Sequence, residues 1–115
     1  MSLPPEIAFQ AFRRHCLEKE GAVEDYPWGD VAWKVGGKMF ACGGKGSNAL
    51  TVKSTMEKQA ALIQHPNIEA AAYVGRYGWV TIRAEDQDTL DIALDLIDES
   101  YEAIRPKRRK LGGAA

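Results

Sequence analysis

The imidazoles and thiols of this chain are few: His15, Cys16, Cys42 and His65. None falls at a metal-ligand spacing such as Cys-x-x-Cys or His-x-x-x-His. His15 and Cys16 are neighbours, and neighbours on a helix point about 100° apart. No motif pairs a cysteine with a histidine for nucleophilic attack. Gly43-Gly44-Lys45-Gly46-Ser47 has the composition of a phosphate loop. Its order is wrong, because that loop needs Gly-x-x-x-x-Gly-Lys-Ser/Thr leading into a helix. Here Met39 stands five before Gly44, and Lys45 is followed by Gly46 and then a strand pattern. A flexible hairpin turn is the expectation. The acids after residue 84 could suggest paired carboxylates for proton transfer. Their helical spacing instead puts Asp88, Asp91, Asp95, Asp98 and Glu102 on one exposed face, where carboxylates stay solvated. These residues lead to an expectation of no catalytic site, no metal and no cofactor: a non-enzymatic binding protein.

Binding chemistry is better represented. In a strand, successive side chains point to opposite faces. Trp79, Thr81 and Arg83 therefore share one side, with Val80 and Ile82 on the other. Lys53 lies with Thr51, opposite Leu50 and Val52; Lys34 lies opposite Trp33 and Val35. If the apolar sides face a core, the other side gathers Lys34, Lys53, Arg83 and Trp79, with Arg76 at its rim. Cations beside an aromatic ring suit phosphate contacts combined with base or sugar packing. An ordinary polar sheet face, with one tryptophan tucked into the core, accounts for the same pattern. A second basic group, Arg105, Lys107, Arg108, Arg109 and Lys110, follows the last helix. It could add electrostatic affinity for a polyanion or stand as a helix terminus without a partner.

These residues are to be positioned by one domain, expected to span residues 1–115, with a core over about 5–105 and a basic, partly disordered tail over 106–115. A chain of 115 residues is long enough to bury a core without a metal or disulfide. Its 45% hydrophobic and 27% charged residues are ordinary for a globular protein. The net charge of −1 conceals segregation. Residues 1–84 carry ten bases and eight acids, residues 85–104 eight acids and no Lys or Arg, and residues 105–110 five cations. No apolar run reaches the roughly 18–20 residues of a membrane span. The first residues lack a secretory pattern, and two isolated cysteines suit a reducing compartment. A cytoplasmic protein is expected.

The spacing predicts a first helix over about residues 5–19, with Ile7, Ala8, Ala11, Phe12 and His15–Cys16 as its apolar stripe and Gly21 as its stop. A turn-rich stretch, 24–30, precedes three strand patterns: Val31–Val35, Lys38–Cys42 and Ala49–Lys53. Gly36-Gly37 joins the first two. Ser54-Thr55-Met56-Glu57 has the form of a capping box and opens a helix to about His65, before Pro66. Ala70–Val74 and Trp79–Arg83 read as a hairpin around 75–78. Asp86 or Asp88 caps a last helix to about Ile104, with Leu90, Ala93, Leu94, Ile97, Tyr101 and Ile104 inward. The order α-β-β-β-α-β-β-α calls for an α+β fold, an antiparallel sheet with helices packed mainly on one face.

Several landmarks, taken in order, resemble the MmcQ/YjbR family of small bacterial proteins. They are Tyr26-Pro27-Trp28-Gly29, Gly37-Lys38-Met39-Phe40-Ala41, Leu50-Thr51-Val52-Lys53, Trp79-Val80-Thr81-Ile82 and Ser100-Tyr101, and the likeness covers about residues 5–108. The resemblance implies a single-domain α-β3-α-β2-α fold and a DNA-binding function through a double-wing sheet surface. Lys53, Trp79 and Tyr101 match the family pattern. Where relatives often carry Lys or Asn followed by His, this chain has Arg76-Tyr77-Gly78, which keeps a cation and has no histidine.

The expected partner is thus DNA, bound weakly by the open sheet face. Lys34, Lys53, Arg76 and Arg83 would contact phosphates, Trp79 would pack on sugar or base, and the Arg105–Lys110 tail would help. The alternative is a protein-binding adaptor or chaperone-like module using the same face or an edge strand.

Overall fold

The computed structural model describes residues 2–107. Helix α1 (Pro5–Leu17) begins on a proline, where a missing N–H loses no helical bond, and buries Ala8, Phe9, Phe12 and Cys16. Ile7, expected inward, is 53% exposed. Phe9 takes its place, tilted against the Trp33 ring at 6.0 Å. The chain then forms β1 (Val23–Asp25), a 3-10 turn at Pro27–Gly29, β2 (Asp30–Val35), β3 (Lys38–Gly44) and β4 (Ala49–Val52). Helix α2 (Met56–Leu62), β5 (Ile68–Ala70), a 3-10 turn at Gly75–Tyr77, β6 (Val80–Arg83) and α3 (Gln87–Ile104) complete the order.

All six strands form one antiparallel sheet in the order β1-β2-β3-β4-β6-β5. Helices α1 and α3 pack together on one face, with α3 lying over β3, β4 and β6, while α2 sits by the β5 edge. Val31, Trp33, Phe40, Leu50, Val52, Val80, Ile82 and Ile97 fill the space between sheet and helices. The expected α+β architecture with helices on one side is what forms. It has one strand more than was read: β1 pairs with β2 where a turn was expected.

One irregularity ties the helix layer to the sheet. Trp33 faces Ala41 while Lys34 faces Met39, so Phe40 is an extra residue, a β-bulge. Beyond Ala41 and Val52 the β3–β4 pairing stops. The Ser100 hydroxyl of α3 takes over there: it donates to the Phe40 carbonyl at 2.6 Å and accepts from the Lys53 N–H at 3.0 Å. Both backbone groups therefore keep a partner across the gap. Next to it, Tyr101 meets Phe40 edge-on and donates its hydroxyl to the Glu20 carbonyl at 2.6 Å.

Two other expectations shift. The cap of α2 is Thr55 rather than Ser54, accepting from the Lys58 N–H at 3.0 Å. The helix ends at Leu62, three residues before His65. The first strand of the second hairpin is Ile68–Ala70 and not Ala70–Val74, because 71–79 folds into a compact loop. There Val74 N–H donates to the Ala72 carbonyl at 2.7 Å, closing a γ-turn on Tyr73 at φ 67°. Of the two expected caps of α3 the structure selects Asp86, whose side chain and Thr89 cap each other reciprocally.

Candidate functional site

The strand registers sort the exposed sheet face into rows. At one end Val23, Lys34 and Met39 are in register, and Lys53 and Trp79 follow just past the last β4–β6 pair, Val52 and Val80; the next row holds Asp25, Ala32, Cys42, Thr51, Thr81 and Glu69; at the other end Asp30 pairs with Gly44 and Ala49 with Arg83. The Thr51 and Thr81 hydroxyls join at 2.8 Å across the middle row. Beyond the Lys34–Trp79 end lie the Gly36-Gly37 turn, the 71–79 loop and the C-terminal end of α3. The Gly43–Asn48 turn and Arg83 lie at the opposite end.

All four expected cations lie on this face or its rim, as alternation required, but they are not one cluster. Arg83 is two rows from Lys53, about 13 Å along the strands. Carboxylates also answer them. Lys34 pairs with Asp25 at 2.8 Å, and Arg83 with Glu69 at 3.1 Å. The hydrogen bond from Lys34 comes first among the effects that hold the Asp25 carboxyl below its ordinary range. With Asp30 added, three acids oppose three bases over the strands.

Lys53 and Arg76 make no ion pair with a described carboxylate; each lies over an aromatic ring instead. The Lys53 ammonium is 5.9 Å from the Trp79 ring centroid, and the Arg76 guanidinium 5.0 Å from that of Tyr77. Trp79 is half-buried, neither tucked into the core nor fully open. The loop carrying these rings is held from below. Buried Gln59 donates through Nε2 to the Gly75 carbonyl at 2.7 Å and the Trp79 carbonyl at 2.8 Å. Gly78, at φ 97°, packs so closely on Ser54 that a Cβ there would stand 2.4 Å from the Ser54 oxygen. On this support Tyr73 is 96% exposed, Tyr77 57% and Met56 54%. A tyrosine in a left-handed backbone costs roughly 1–2 kcal/mol, and nothing in the described chain covers its ring. Sequence reasoning missed Tyr73 and Tyr77; their only local signal was the glycine on either side of Arg76-Tyr77.

At the same end, Arg105 pairs with Glu102 at 2.9 Å, and Pro106 lies against Gly36. Arg105 and Lys107 border a cleft of about 500 Å³ with Glu20, Val35 and Tyr101. Arg108, Arg109 and Lys110, and the disordered tail expected with them, lie outside the described residues.

Several other polar side chains are committed to structure. No group of three or more His, Cys, Asp or Glu among the described residues could hold a metal. His15 Nε2 meets Asp98 Oδ1 at 2.8 Å, and Lys19 joins the same oxygen. Cys16 is on the buried side of α1 and Cys42 is on the opposite face of the sheet, so the two cannot pair. Burial pushes both thiols up, away from the reactive thiolate. Glu24, whose side chain is 10% exposed, accepts from Arg13 Nε at 2.8 Å, Trp33 Nε1 at 2.9 Å and the Tyr26 hydroxyl. Burial opposes its charge, but the hydrogen bonds outweigh burial and keep its pKa below the ordinary value.

No helix among the described residues is long and apolar enough to cross a membrane. No curated protein matches the chain. A crystal structure of Deinococcus radiodurans protein DR2400, whose domain is classed as DUF419, superimposes with a TM-score of 0.72 at 24% identity, over 86% of this chain and 80% of that one. That likeness is one of fold. The family model described as YjbR matches residues 17–103. The chain belongs to the YjbR family.

Proposed function

We propose that this is a non-enzymatic protein that binds DNA weakly, at the end of the open sheet face that carries Lys53, Trp79, Arg76 and Tyr77. The observation behind the reading is the pair of cation–aromatic contacts, Lys53 on Trp79 and Arg76 on Tyr77. Each offers a positive charge to a phosphate beside a ring that can meet a sugar or base. Lys107 extends the positive end, and Lys34, Arg83 and Arg105 contribute less because acids already answer them. Exposed pairs of that kind are screened by water and can open, so these residues are secondary rather than irrelevant. The commitment of Glu24 to three donors supports a non-catalytic reading, since a clamped, ionised carboxylate is a poor proton carrier.

The charge count sets the expected salt response. If Lys53, Arg76 and Lys107 each meet a phosphate, log affinity falls with log salt with a slope of about −2.7 for duplex and −2.1 for single strands. Raising salt fourfold then weakens binding by about 40-fold or 20-fold, far less than ten contacts would give. Anisotropy titrations of labelled duplex and single-stranded DNA over that range test this. Lys53→Glu or Arg76→Glu should weaken binding and flatten the slope by about 1 or more. Absence of binding at low salt, or unchanged binding by both variants, would refute the proposal.

A protein partner is the second reading, favoured by the exposed Tyr73, Tyr77 and Met56, residue types common in interface centres. A co-purifying protein retained at high salt and lost in Tyr73→Ser would favour it over DNA.

A further inference from the structure

The Glu24 clamp forms one wall of a second cleft, about 360 Å³, between α1, the start of β2 and the β3–β4 turn. That volume lies in the lower part of the roughly 300–1,000 Å³ range of small-molecule sites. It belongs to the opposite end of the sheet from Lys53, and the DNA proposal uses none of it. Its apolar floor is Phe9 and Val31, only 5% and 2% exposed. Tyr26 stands at its side, 61% exposed, with its hydroxyl fixed by Glu24 so that the ring is held in place.

The charge balance of the cleft follows from its hydrogen bonds. Glu24 spends both oxygens on protein donors, and Arg13 is the cation that answers it. Lys45, on the cleft's rim, makes no ion pair with a described carboxylate. Glu6, on α1 facing the same turn, accepts from Gln10 Nε2 at 2.8 Å, a neutral donor that leaves its charge in place. The turn that carries Lys45 is itself anchored. Ser47 N–H donates to the Gly44 carbonyl at 3.0 Å, and Ser47 Oγ accepts from the Ala49 N–H at 3.0 Å. Gly46, at φ 74°, lets the turn approach α1 so closely that a Cβ there would stand 2.9 Å from Glu6 Oε1. Thus an apolar floor, a fixed aromatic wall and an ammonium outside any ion pair with a described carboxylate converge on one small space.

We infer that this cleft binds a small organic anion with a flat apolar body, such as an aryl carboxylate or aryl phosphate. The ring packs along the exposed side chain of Tyr26, over the small part of Phe9 and Val31 that the cleft leaves open, and the anionic group meets the Lys45 ammonium. The glycine-rich segment 43–47, which lacks the order of a phosphate loop, supplies that lysine on a side-chain stem and not a cradle of backbone N–H groups.

The test is calorimetric titration of the full chain with benzoate, phenyl phosphate, acetate and benzylamine. Benzoate or phenyl phosphate should bind saturably at one site, and the preferred one identifies a carboxylate or a phosphate as the natural head group. Acetate, which has charge without a ring, and benzylamine, which has a ring with the wrong charge, should bind at least tenfold more weakly. Lys45→Met should weaken the preferred anion at least fivefold while leaving the thermal midpoint unchanged, because Lys45 is exposed on a turn. Lys45→Arg should restore most of the affinity. The inference is overturned if neither aryl anion saturates, if benzylamine matches them, or if Lys45→Met binds as the parent does. Lys53→Glu, at the far end of the sheet, should leave this binding unchanged, so the two proposals fail independently.

Discussion

Replacing Ser100 by alanine should cost more than its size suggests. Only one oxygen is removed, from a residue with no exposed surface. That oxygen satisfies two backbone groups, the Phe40 carbonyl and the Lys53 N–H, at the point where the bulge has separated β3 from β4. A buried polar group left without a partner costs roughly 1–3 kcal/mol. Lys53 is half-buried, so its N–H belongs near the lower figure, and the pair together should lose about 2–4 kcal/mol. A chain of this length has roughly 6–17 kcal/mol of total stability. Ser100→Ala should therefore remove a substantial part of it and lower the thermal midpoint by about 10–20 °C. Urea unfolding followed by tryptophan fluorescence measures the loss directly. A change below about 0.5 kcal/mol would mean that Phe40 and Lys53 close on each other as an ordinary ladder pair. It would refute the hydroxyl as the link between α3 and the end of the open face that carries Lys53.

Three further outcomes are expected. Gly78→Ala places a Cβ 2.4 Å from the Ser54 oxygen at φ 97°, and should destabilise by at least about 2 kcal/mol in the same unfolding assay. Gln59→Leu removes one of two donors from each of the Gly75 and Trp79 carbonyls, which keep the Gly78 and Ala71 N–H groups, and should cost about 1 kcal/mol. Hydrogen exchange should then quicken at the Gly75, Tyr77 and Gly78 amides that close the loop. Acid should destabilise through Asp86, held low by the Thr89 backbone N–H, and through Glu24 and Asp98, where hydrogen bonds outweigh burial. Because the folded state lowers these pKa values, their stabilisation is complete above the unfolded values, at about pH 5, and is lost as pH falls below about 4. Urea midpoints measured from pH 7 to 3 should be level and then drop, and Glu24→Gln should remove part of the drop.

Much of the fold could be read from the chain because local and global signals agree. Alternation placed Leu50, Val52, Val80 and Ile82 inward, and one of the two expected caps, Asp86, is the one that caps α3. What escaped depended on distant partners. Strand β1 is three residues, one of them Glu24, and its place is set by pairing with β2 and by Arg13, Trp33 and Tyr26 converging on that carboxylate. Thr55 rather than Ser54 caps α2, and the Ser54 carbonyl instead faces Gly78, 24 residues away in sequence. Phe40 faces inward with Ala41 only because of the bulge.

The binding face was legible in the same partial way. Alternation is a property of one strand, so it put Lys34, Lys53 and Arg83 on a common side. Ion pairing is a property of neighbours, so it did not show that Asp25 and Glu69 occupy the adjoining strands. Charge concentrates at one end of the sheet, not over its whole face. The rigid presentation of Tyr73 and Tyr77 depends on Gln59, and no spacing in the sequence signals that.

The most direct test of the DNA proposal is a map of amide chemical shifts as a short oligonucleotide is titrated into the protein at low salt. The account predicts saturable shifts at Lys53, Arg76, Tyr77, Trp79 and Lys107, including the Trp79 indole N–H. Shifts confined to the Asp30, Lys45 and Arg83 end, or no saturable shift at all, would contradict it.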